Sequence, residues 1–436
     1  MQRTPTKIAL LHHTGGGNLG DQASVDAVIG NIRRRWPGSV IALLSMNPSE
    51  TARIHGVPSY PLRTHTWEFG YGSAPRKSNG ASFHFMRWLR TTSTPIVRLP
   101  RAILREVTFL IAALRIIRPF DLLIVSGGGQ LTGNSGPWGF PYSIVLWFLM
   151  AKFAGRRCMF LNVGAGPLTD PLTKFFVTRT LHAADYVSFR DKPSQALARN
   201  IGFGGDSHVF PDIVYGLDVC TPCVLGSHKR EPPIVGISPL AYPSGSIFSA
   251  HEQMTTYTEV ISKFAIFASA LTRRSYSISL FGTDFGEDPA TIEDLRTTLR
   301  DRHNIATPPY ESVKLVEQLL HQMSAMDYIV TCRFHAVVFA HLLNKPVLAI
   351  SPHPKVTDLM SALGLSKYCV DIQTFDPNVL ADTLEALVRE RDAIKDNMAA
   401  NLAGFKSLLK GQLDDLFPAN MDHGTTFENM SVRREK

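Results

Sequence analysis

A short aliphatic run that ends in a glycine-rich or polar turn and then gives way to a helical pattern recurs along this chain. That recurrence leaves few folds open. Ile8 to Leu11 runs into His12-His13-Thr14-Gly15-Gly16-Gly17-Asn18-Leu19-Gly20-Asp21, and Val25, Val28, Ile29 and Ile32 follow at helical spacing. Asp121 to Val125 leads into Ser126-Gly127-Gly128-Gly129-Gln130, and Cys158 to Val163 leads into Gly164-Ala165-Gly166-Pro167. Ala184 to Phe189 ends at Arg190-Asp191, with a helix through Ala196, Leu197 and Ala198 beyond, and Val209-Phe210-Pro211-Asp212 completes the set. Strands that alternate with helices form βαβ units and therefore a parallel sheet. The carboxyl ends of such strands share one rim, which is where ligands bind.

From Asp218 to Pro233 the composition shifts to Cys, Pro, Ser and charge, and a second α/β pattern follows. It contains Ile234 to Ser238, a helix through Tyr257, Val260, Ile261, Phe264 and Phe267, and Ser277 to Phe281 before the Gly282–Gly286 turn. Tyr328 to Val330 then delivers Arg333 and His335 at a strand-to-helix turn, and Val347 to Ser351 delivers Lys355 and Asp358. An arginine and a histidine at such a turn suit an anion and a proton transfer. At 436 residues the chain exceeds single-core size. The expected organisation is a first α/β domain over 1–217 with a basic, aromatic insertion near 60–120, a linker over 218–233, and a second α/β domain over 234–415. The tail, 416–436, is expected to be disordered.

Composition narrows the function classes. Apolar content of 44% and charged content of 19% describe a globular protein. The longest apolar run, Tyr142 to Ala151, is too short to span a bilayer, and nothing at the start reads as a signal peptide, so a cytoplasmic protein is expected. Five cysteines do not make a disulfide framework at this length, and Cys220-Thr-Pro-Cys223 has no second pair to complete a zinc site. The histidines lack ligand spacing, so no metal is expected. The first glycine-rich turn is not a dinucleotide fingerprint, because its glycines are misspaced and no acid ends the strand Val40 to Leu44.

The net charge of +8 is concentrated between Tyr60 and Phe120, where ten Lys/Arg face only Glu68 and Glu106. Trp67, Phe69, Tyr71, Phe83, Phe85 and Trp88 interleave with these, and Ile103, Val107, Leu110, Leu114 and Ile117 make a helical apolar stripe. The segment reads as a solvated face over a buried helix, or as a peripheral contact with the inner face of an anionic plasma membrane or a lipid-linked acceptor. No nucleic-acid motif accompanies it.

Gly17-Asn-Leu-Gly-Asp21, Ser126-Gly-Gly-Gly129, Gly164-Ala-Gly-Pro167, Arg190-Asp191, Pro211-Asp212, Arg333-Phe-His335 and Lys355-Val-x-Asp358 occur in the order seen in polysaccharide pyruvyl transferases. The resemblance covers about residues 7 to 390. It implies two Rossmann-like domains facing each other across a cleft, in a glycosyltransferase-B-like architecture. It also implies transfer of the pyruvyl group of phosphoenolpyruvate to a sugar of an exopolysaccharide or cell-surface glycan precursor, with no cofactor. The segment 60–120 has no counterpart in that pattern.

Residue chemistry fits that reaction. Phosphoenolpyruvate carries a phosphate and a carboxylate, and guanidinium pairs bidentately with either, so Arg190 and Arg333 are the expected forks. Backbone N–H groups at Gly128, Gly129, Gly164 and Gly166 are expected to add donors, and Lys355 to balance phosphate charge. His335 is the candidate proton donor to the methylene carbon, and Asp21 the candidate base, with Asp191 second. Asn18 and Asp191 are placed on the acceptor side. The bland alternatives are a helix N-cap for Asp21 and a strand-end salt bridge for Arg190 with Asp191. Two rival functions share the architecture. One is a nucleotide-sugar glycosyltransferase, against which stands the lack of any acid in the Ala336 to Leu343 helix. The other is a non-catalytic binding protein.

Overall fold

The aliphatic runs become parallel strands because each is buried on both faces, which leaves no room for an alternating polar side. The protein is seen here as a computed structural model that describes residues 6–63, 95–134, 136–219, 231–240 and 250–418, with only the backbone described for 95–103 and 250–256. The six aromatics singled out between Trp67 and Trp88, the Cys220/Cys223 pair and the tail beyond Pro418 lie outside the described residues.

In chain order the first elements are β1 (Lys7–Leu11), α1 (Leu19–Arg35), β2 (Val40–Ser45), α2 (Pro48–His55), β3 (Ser59–Pro61) and α3 (Pro95–Ile117). Next come β4 (Leu122–Ser126), α4 (Phe140–Phe153), β5 (Arg157–Val163), α5 (Pro171–Ala183), β6 (Tyr186–Phe189), α6 (Lys192–Asn200) and β7 (His208–Val209). The second half holds a 3-10 turn (Ile213–Gly216), β8 (Ile234–Ser238), α7 (Ala250–Arg273), β9 (Ser277–Leu280), α8 (Asp288–His303) and α9 (Val316–Ser324). It ends with β10 (Tyr328–Thr331), α10 (Phe334–Leu342), β11 (Val347–Ser351), α11 (Pro354–Ala362), β12 (Cys369–Asp371), α12 (Pro377–Arg389) and α13 (Arg391–Leu416).

Two compact units result. The first comprises Met1–Gly15 and Gly38–Val209, and the second Gly16–Pro37 and Phe210–Lys436. The first carries a seven-stranded sheet in the order β3-β2-β1-β4-β5-β6-β7, parallel throughout. Its core is aromatic under α4: Phe148 stacks on Phe160 at 5.0 Å, and the buried indole of Trp147 donates to the Leu62 carbonyl at 3.0 Å. The second carries a five-stranded parallel sheet in the order β12-β11-β10-β8-β9. Asp170, Asp191 and Asp376 each cap a helix that opens with a proline in its first turn, so those helix starts are dictated by sequence.

Helix α1 follows β1 in the chain but packs within the second unit. Asn31 Nδ2 donates to the Gly216 carbonyl at 2.8 Å, and Arg35 Nε donates to Asp414 at 2.9 Å. Trp36 meets Phe417 edge-on at 5.1 Å and donates to the Pro418 carbonyl at 3.0 Å. Also in the second unit, His341 on α10 is fully buried between Tyr215 and Met398. Its Nε2 lies 2.8 Å from the Met398 carbonyl and its Nδ1 3.0 Å from the Tyr215 hydroxyl. Burial pushes its pKa down to about 4, against a weaker upward pull from the Met398 carbonyl.

Candidate active site

The carboxyl rim of the second sheet gathers five of the residues expected to carry chemistry. Asn18, not Asp21, caps α1: its Oδ1 accepts from the backbone of Gly20 at 2.9 Å and of Asp21 at 3.2 Å. Asp21 sits in the first turn and is 7% exposed, so the capping alternative is assigned to its neighbour. The use of Asn18 Oδ1 as a cap leaves only its Nδ2 for the acceptor-side role expected of it. The loop before α1 is clasped by the turn after β9. Leu19 N donates to the Thr283 carbonyl at 2.8 Å, and Phe285 N donates to the Gly17 carbonyl at 3.1 Å. Gly17 has φ 98°, and a Cβ there would lie 3.0 Å from Asp284 Oδ1.

His335 stands at the start of α10 with its ring against Gly20. A Cβ built on Gly20 would fall 2.0 Å from His335 Nδ1, so the imidazole occupies space that only a glycine leaves open. The other ring nitrogen, Nε2, is 4.0 Å from Asp212 Oδ2, and Asp212 is 4% exposed. The second oxygen of Asp212 accepts from Val214 N at 3.0 Å, which fixes the carboxylate. Nε2 thus faces a buried carboxylate at ion-pair distance.

Arg333 is the N-cap residue of α10, and its backbone N–H donates to Thr331 Oγ1 at 3.0 Å. Its Nη2 donates to Asp288 Oδ1 and reaches Glu287 Oε2 at 3.5 Å. Asp288 is fully buried, and its other oxygen accepts from Thr283 N at 2.8 Å and Asp284 N at 3.0 Å. One carboxylate thus holds both the β9 turn and the guanidinium. Burial works against the charge of Arg333, but Asp288, Asp284 and Glu287 outweigh it and raise its pKa above the ordinary arginine value. The fork expected to be open to an anion is therefore partly committed to carboxylates. Lys355 is exposed in the first turn of α11, on the same rim, where His353 caps the helix.

Asp284 is the electrostatic outlier. Burial pushes its pKa up to about 6, with Asp288 and Glu287 adding to the rise, while Arg333 and the Gly286 N–H oppose it. Folding therefore favours the protonated form, and Asp284 costs stability progressively as pH rises from about 4 to about 6. His341 has the opposite sign: held near 4, it costs stability as pH falls from about 6.5 to about 4. Each slope is roughly 1.4 kcal/mol per pH unit, so the two oppose each other between about pH 4 and 6. Asp284→Asn keeps an Oδ1 for Gly286 and Glu287 and removes one slope. Relative to the native chain, its stability is expected to climb by roughly 3 kcal/mol between pH 4 and 6, in urea unfolding at stepped pH. Parallel curves for the two proteins would show that Asp284 titrates normally.

The first unit presents its own rim. Gly127 and Gly128 are left-handed, at φ 57° and 56°, which turns the chain sharply after β4. The β4 and β5 turns then bind each other: Gly164 N donates to the Gly128 carbonyl at 2.8 Å, and Gly166 N to the Leu131 carbonyl at 2.8 Å. These two N–H groups, expected to meet a phosphate, are instead used within the protein. Gly164 serves by its lack of a side chain, since a Cβ there would lie 2.6 Å from Arg190 Nε. Arg190, its side chain 6% exposed, lies on that glycine and donates to Asp191 Oδ2 at 3.3 Å. Asp191 Oδ1 accepts from Ser194 N at 2.7 Å as the cap of α6. The salt bridge and the cap both exist, and they fix the position of the guanidinium. Beneath the turn, Gln130 and Ser126 are fully buried, and among the described residues neither side chain has a hydrogen-bond partner. No group of three His, Cys, Asp or Glu among the described residues could hold a metal ion.

A family model described as polysaccharide pyruvyl transferase matches residues 18–354, from the cap of α1 to the start of α11. The chain belongs to the polysaccharide pyruvyl transferase family. No curated protein matches the sequence. Among solved structures, this family member is similar to the UDP-GlcNAc 2-epimerase from Neisseria meningitidis bound to UDP-GlcNAc, at 11% identity and TM-score 0.57, over 94% of this chain and 99% of that one. It is similar to a glycosyltransferase from Rickettsia africae, at 10% identity and TM-score 0.54, over 96% and 100%. It is also similar to the Anabaena protein HepE in complex with UDP and glucose, at 12% identity and TM-score 0.53, over 94% and 99%. Likeness at these identities shows the fold: two Rossmann-like α/β units of glycosyltransferase-B-like type.

Within this transferase the residues to which the sequence motifs gave no role are Gly20, Asp212, Asp284, Glu287, Asp288 and Gln130. Asp212 could have been found, because Pro211-Asp212 follows β7 as a strand-end motif. The acids of the β9 turn carried only a weak signal. Their partner Arg333 lies more than forty residues away in sequence, beyond α8, α9 and β10.

Proposed function

We propose that this protein transfers the pyruvyl group of phosphoenolpyruvate to two hydroxyls of a sugar in an exopolysaccharide or cell-surface glycan precursor. A pyruvate ketal forms and phosphate is released. The observation that carries the reading is the lodging of the His335 ring between Gly20 and the buried carboxylate of Asp212. That arrangement fixes the imidazole beside a carboxylate, and the first step requires a positioned proton donor. His335 gives a proton to the methylene carbon, making it a methyl group while C2 gains oxocarbenium character. A sugar hydroxyl adds to C2, and its proton passes to Asp21. Phosphate leaves with its electron pair, and the second hydroxyl closes the ring. Of the two hydroxyl protons, one replaces the proton given by His335 and the other departs with phosphate. No cofactor enters this balance.

Arg190 is the fork for one end of the donor, because Asp191 and Gly164 already hold its guanidinium still. The remaining donors of Arg333, with Lys355, serve the other charge, and Gly128 and Gly129 supply backbone N–H groups. Asn18 Nδ2 and Asp191 stay on the acceptor side. The acceptor is a sugar or glycan, lipid-linked when assembled at the membrane.

The test is thermal shift with phosphoenolpyruvate and, separately, with UDP-GlcNAc, on the native chain and on Arg190→Ala. Arg190 is preferred to Arg333 because its removal strands no fully buried carboxylate. A ligand present at about a hundred times its Kd adds about 2.7 kcal/mol to the folded state. Stabilisation by phosphoenolpyruvate, lost in Arg190→Ala, is the expected result. Stabilisation by UDP-GlcNAc with none from phosphoenolpyruvate would make the chain a nucleotide-sugar enzyme instead.

A further inference from the structure

Helix α3 is amphipathic in an unusual sense: the face turned away from the core is also apolar. Phe109, Ala113 and Ile117 are buried against the first unit. On the opposite face Leu104 is 63% exposed, Val107 45% and Ile111 46%, and Arg115 and Arg118 are exposed along the same line. These five positions fall at i, i+3, i+7, i+11 and i+14, one continuous stripe on a helical surface. Helix α3 packs on α4, whose Leu149 and Phe153, one turn apart, are 56% and 79% exposed. Aliphatic and aromatic groups left in water on adjoining helices mark a contact surface.

The charge of the region says what kind of surface it meets. The only acid within α3, Glu106, is engaged by Arg63, which also lies over the Phe109 and Tyr142 rings. The helix and the residue after it carry Arg98, Arg101, Arg105, Arg115 and Arg118. The preceding segment, 64–94, adds Arg76, Lys77, Arg87 and Arg90 against Glu68 alone. That segment is therefore basic itself and cannot neutralise α3. The positive charge of α3 suits an anionic partner, and the exposed Leu-Val-Ile stripe suits one with an apolar layer beneath its charge. A nucleic-acid backbone supplies the first without the second. Among the described residues no helix is long and apolar enough to cross a membrane, so insertion would be confined to the interface.

We infer that the outer face of α3, with the end of α4, docks this protein on the surface of an anionic lipid bilayer. Arginines meet the headgroups, and Leu104, Val107, Ile111 and Phe153 enter the acyl boundary. The inference stands on exposure and charge in the first unit and does not depend on the donor chemistry.

The full chain is tested by flotation with vesicles of phosphatidylcholine alone and with one-third phosphatidylglycerol, at low and high salt. The companion variant carries Leu104→Glu, Val107→Glu and Ile111→Glu, all on an exposed face, and circular dichroism checks its fold. Expected is binding to the anionic vesicles only, weakened by salt, and reduced at least about tenfold in the variant. Absence of binding by the native chain overturns the inference, as does equal binding by a folded variant. A native dimer that the variant converts to monomer in light scattering would reassign the face to self-association. Binding to duplex DNA in place of vesicles, lost on Arg115→Ala with Arg118→Ala, would reassign it to nucleic acid.

Discussion

Gly20→Ala is expected to lower kcat by about a hundredfold or more while leaving phosphoenolpyruvate binding largely intact. Helix propensity alone argues the reverse, since alanine inside a helix is better than glycine by about 1 kcal/mol. The decisive number is local: the new methyl would stand 2.0 Å from His335 Nδ1. The ring must swing away from Asp212, or α1 must shift, and either displaces the proposed proton donor by more than the tolerance of a proton transfer. Gly30→Ala is the matched control, in the same helix with nothing within 4 Å of its Cβ. It should gain stability and keep full activity. Phosphate release from phosphoenolpyruvate, measured for both, decides. If Gly20→Ala turns over as fast as Gly30→Ala, the imidazole is not where catalysis needs it.

Asp288→Ala is expected to destabilise the protein by about 3–5 kcal/mol, the usual cost of stranding a buried charge. The carboxylate is fully buried and bonds Arg333, Thr283 N and Asp284 N together, so its loss frees a guanidinium and two backbone donors at once. Asp288→Asn, which can still accept from the backbone, should lose less. Combining Asp288→Asn with Arg333→Met should recover part of that loss, because neither member is then left charged and alone. Urea unfolding at neutral pH of the native chain, Asp288→Asn, Arg333→Met and the double variant gives the four values of the cycle. Additive losses in the double variant would mean that the pair does not interact in the folded protein.

Much of the fold was legible because parallel strands buried on both faces leave continuous aliphatic runs, and their turns leave glycines and charged residues at fixed offsets. β1, β4, β5, β8, β10 and β11 were all visible that way. The shorter helices α9 and α11 left weaker patterns, each being nine residues long and offering only about two turns of periodicity. At the site, Arg333 and His335 were legible as types. Their settings were not, because an ion pair with Asp288 and a seat on Gly20 join residues distant in the chain. The glycines of Gly164-Ala165-Gly166 suggested phosphate cradling, yet their N–H groups close the turn on its neighbour. A glycine-rich string shows that backbones come close, without saying whether the visitor is a ligand or a side chain. Here it is Arg190.

The excursion of residues 16–37 into the second unit has a consequence for how the molecule is made. The 16–37 segment is synthesised some 260 to 320 residues ahead of the groups it seats against, Thr283, Asp284 and His335. The aromatic that closes α1, Phe417, follows Trp36 by some 380 residues. The first unit can collapse while translation continues, but the early helix must wait, bearing an apolar face, until the second sheet exists. A fragment starting at Phe210 would lack that helix and with it the seat of His335, whereas the same fragment supplied with a 16–37 peptide offers a route to restoring it.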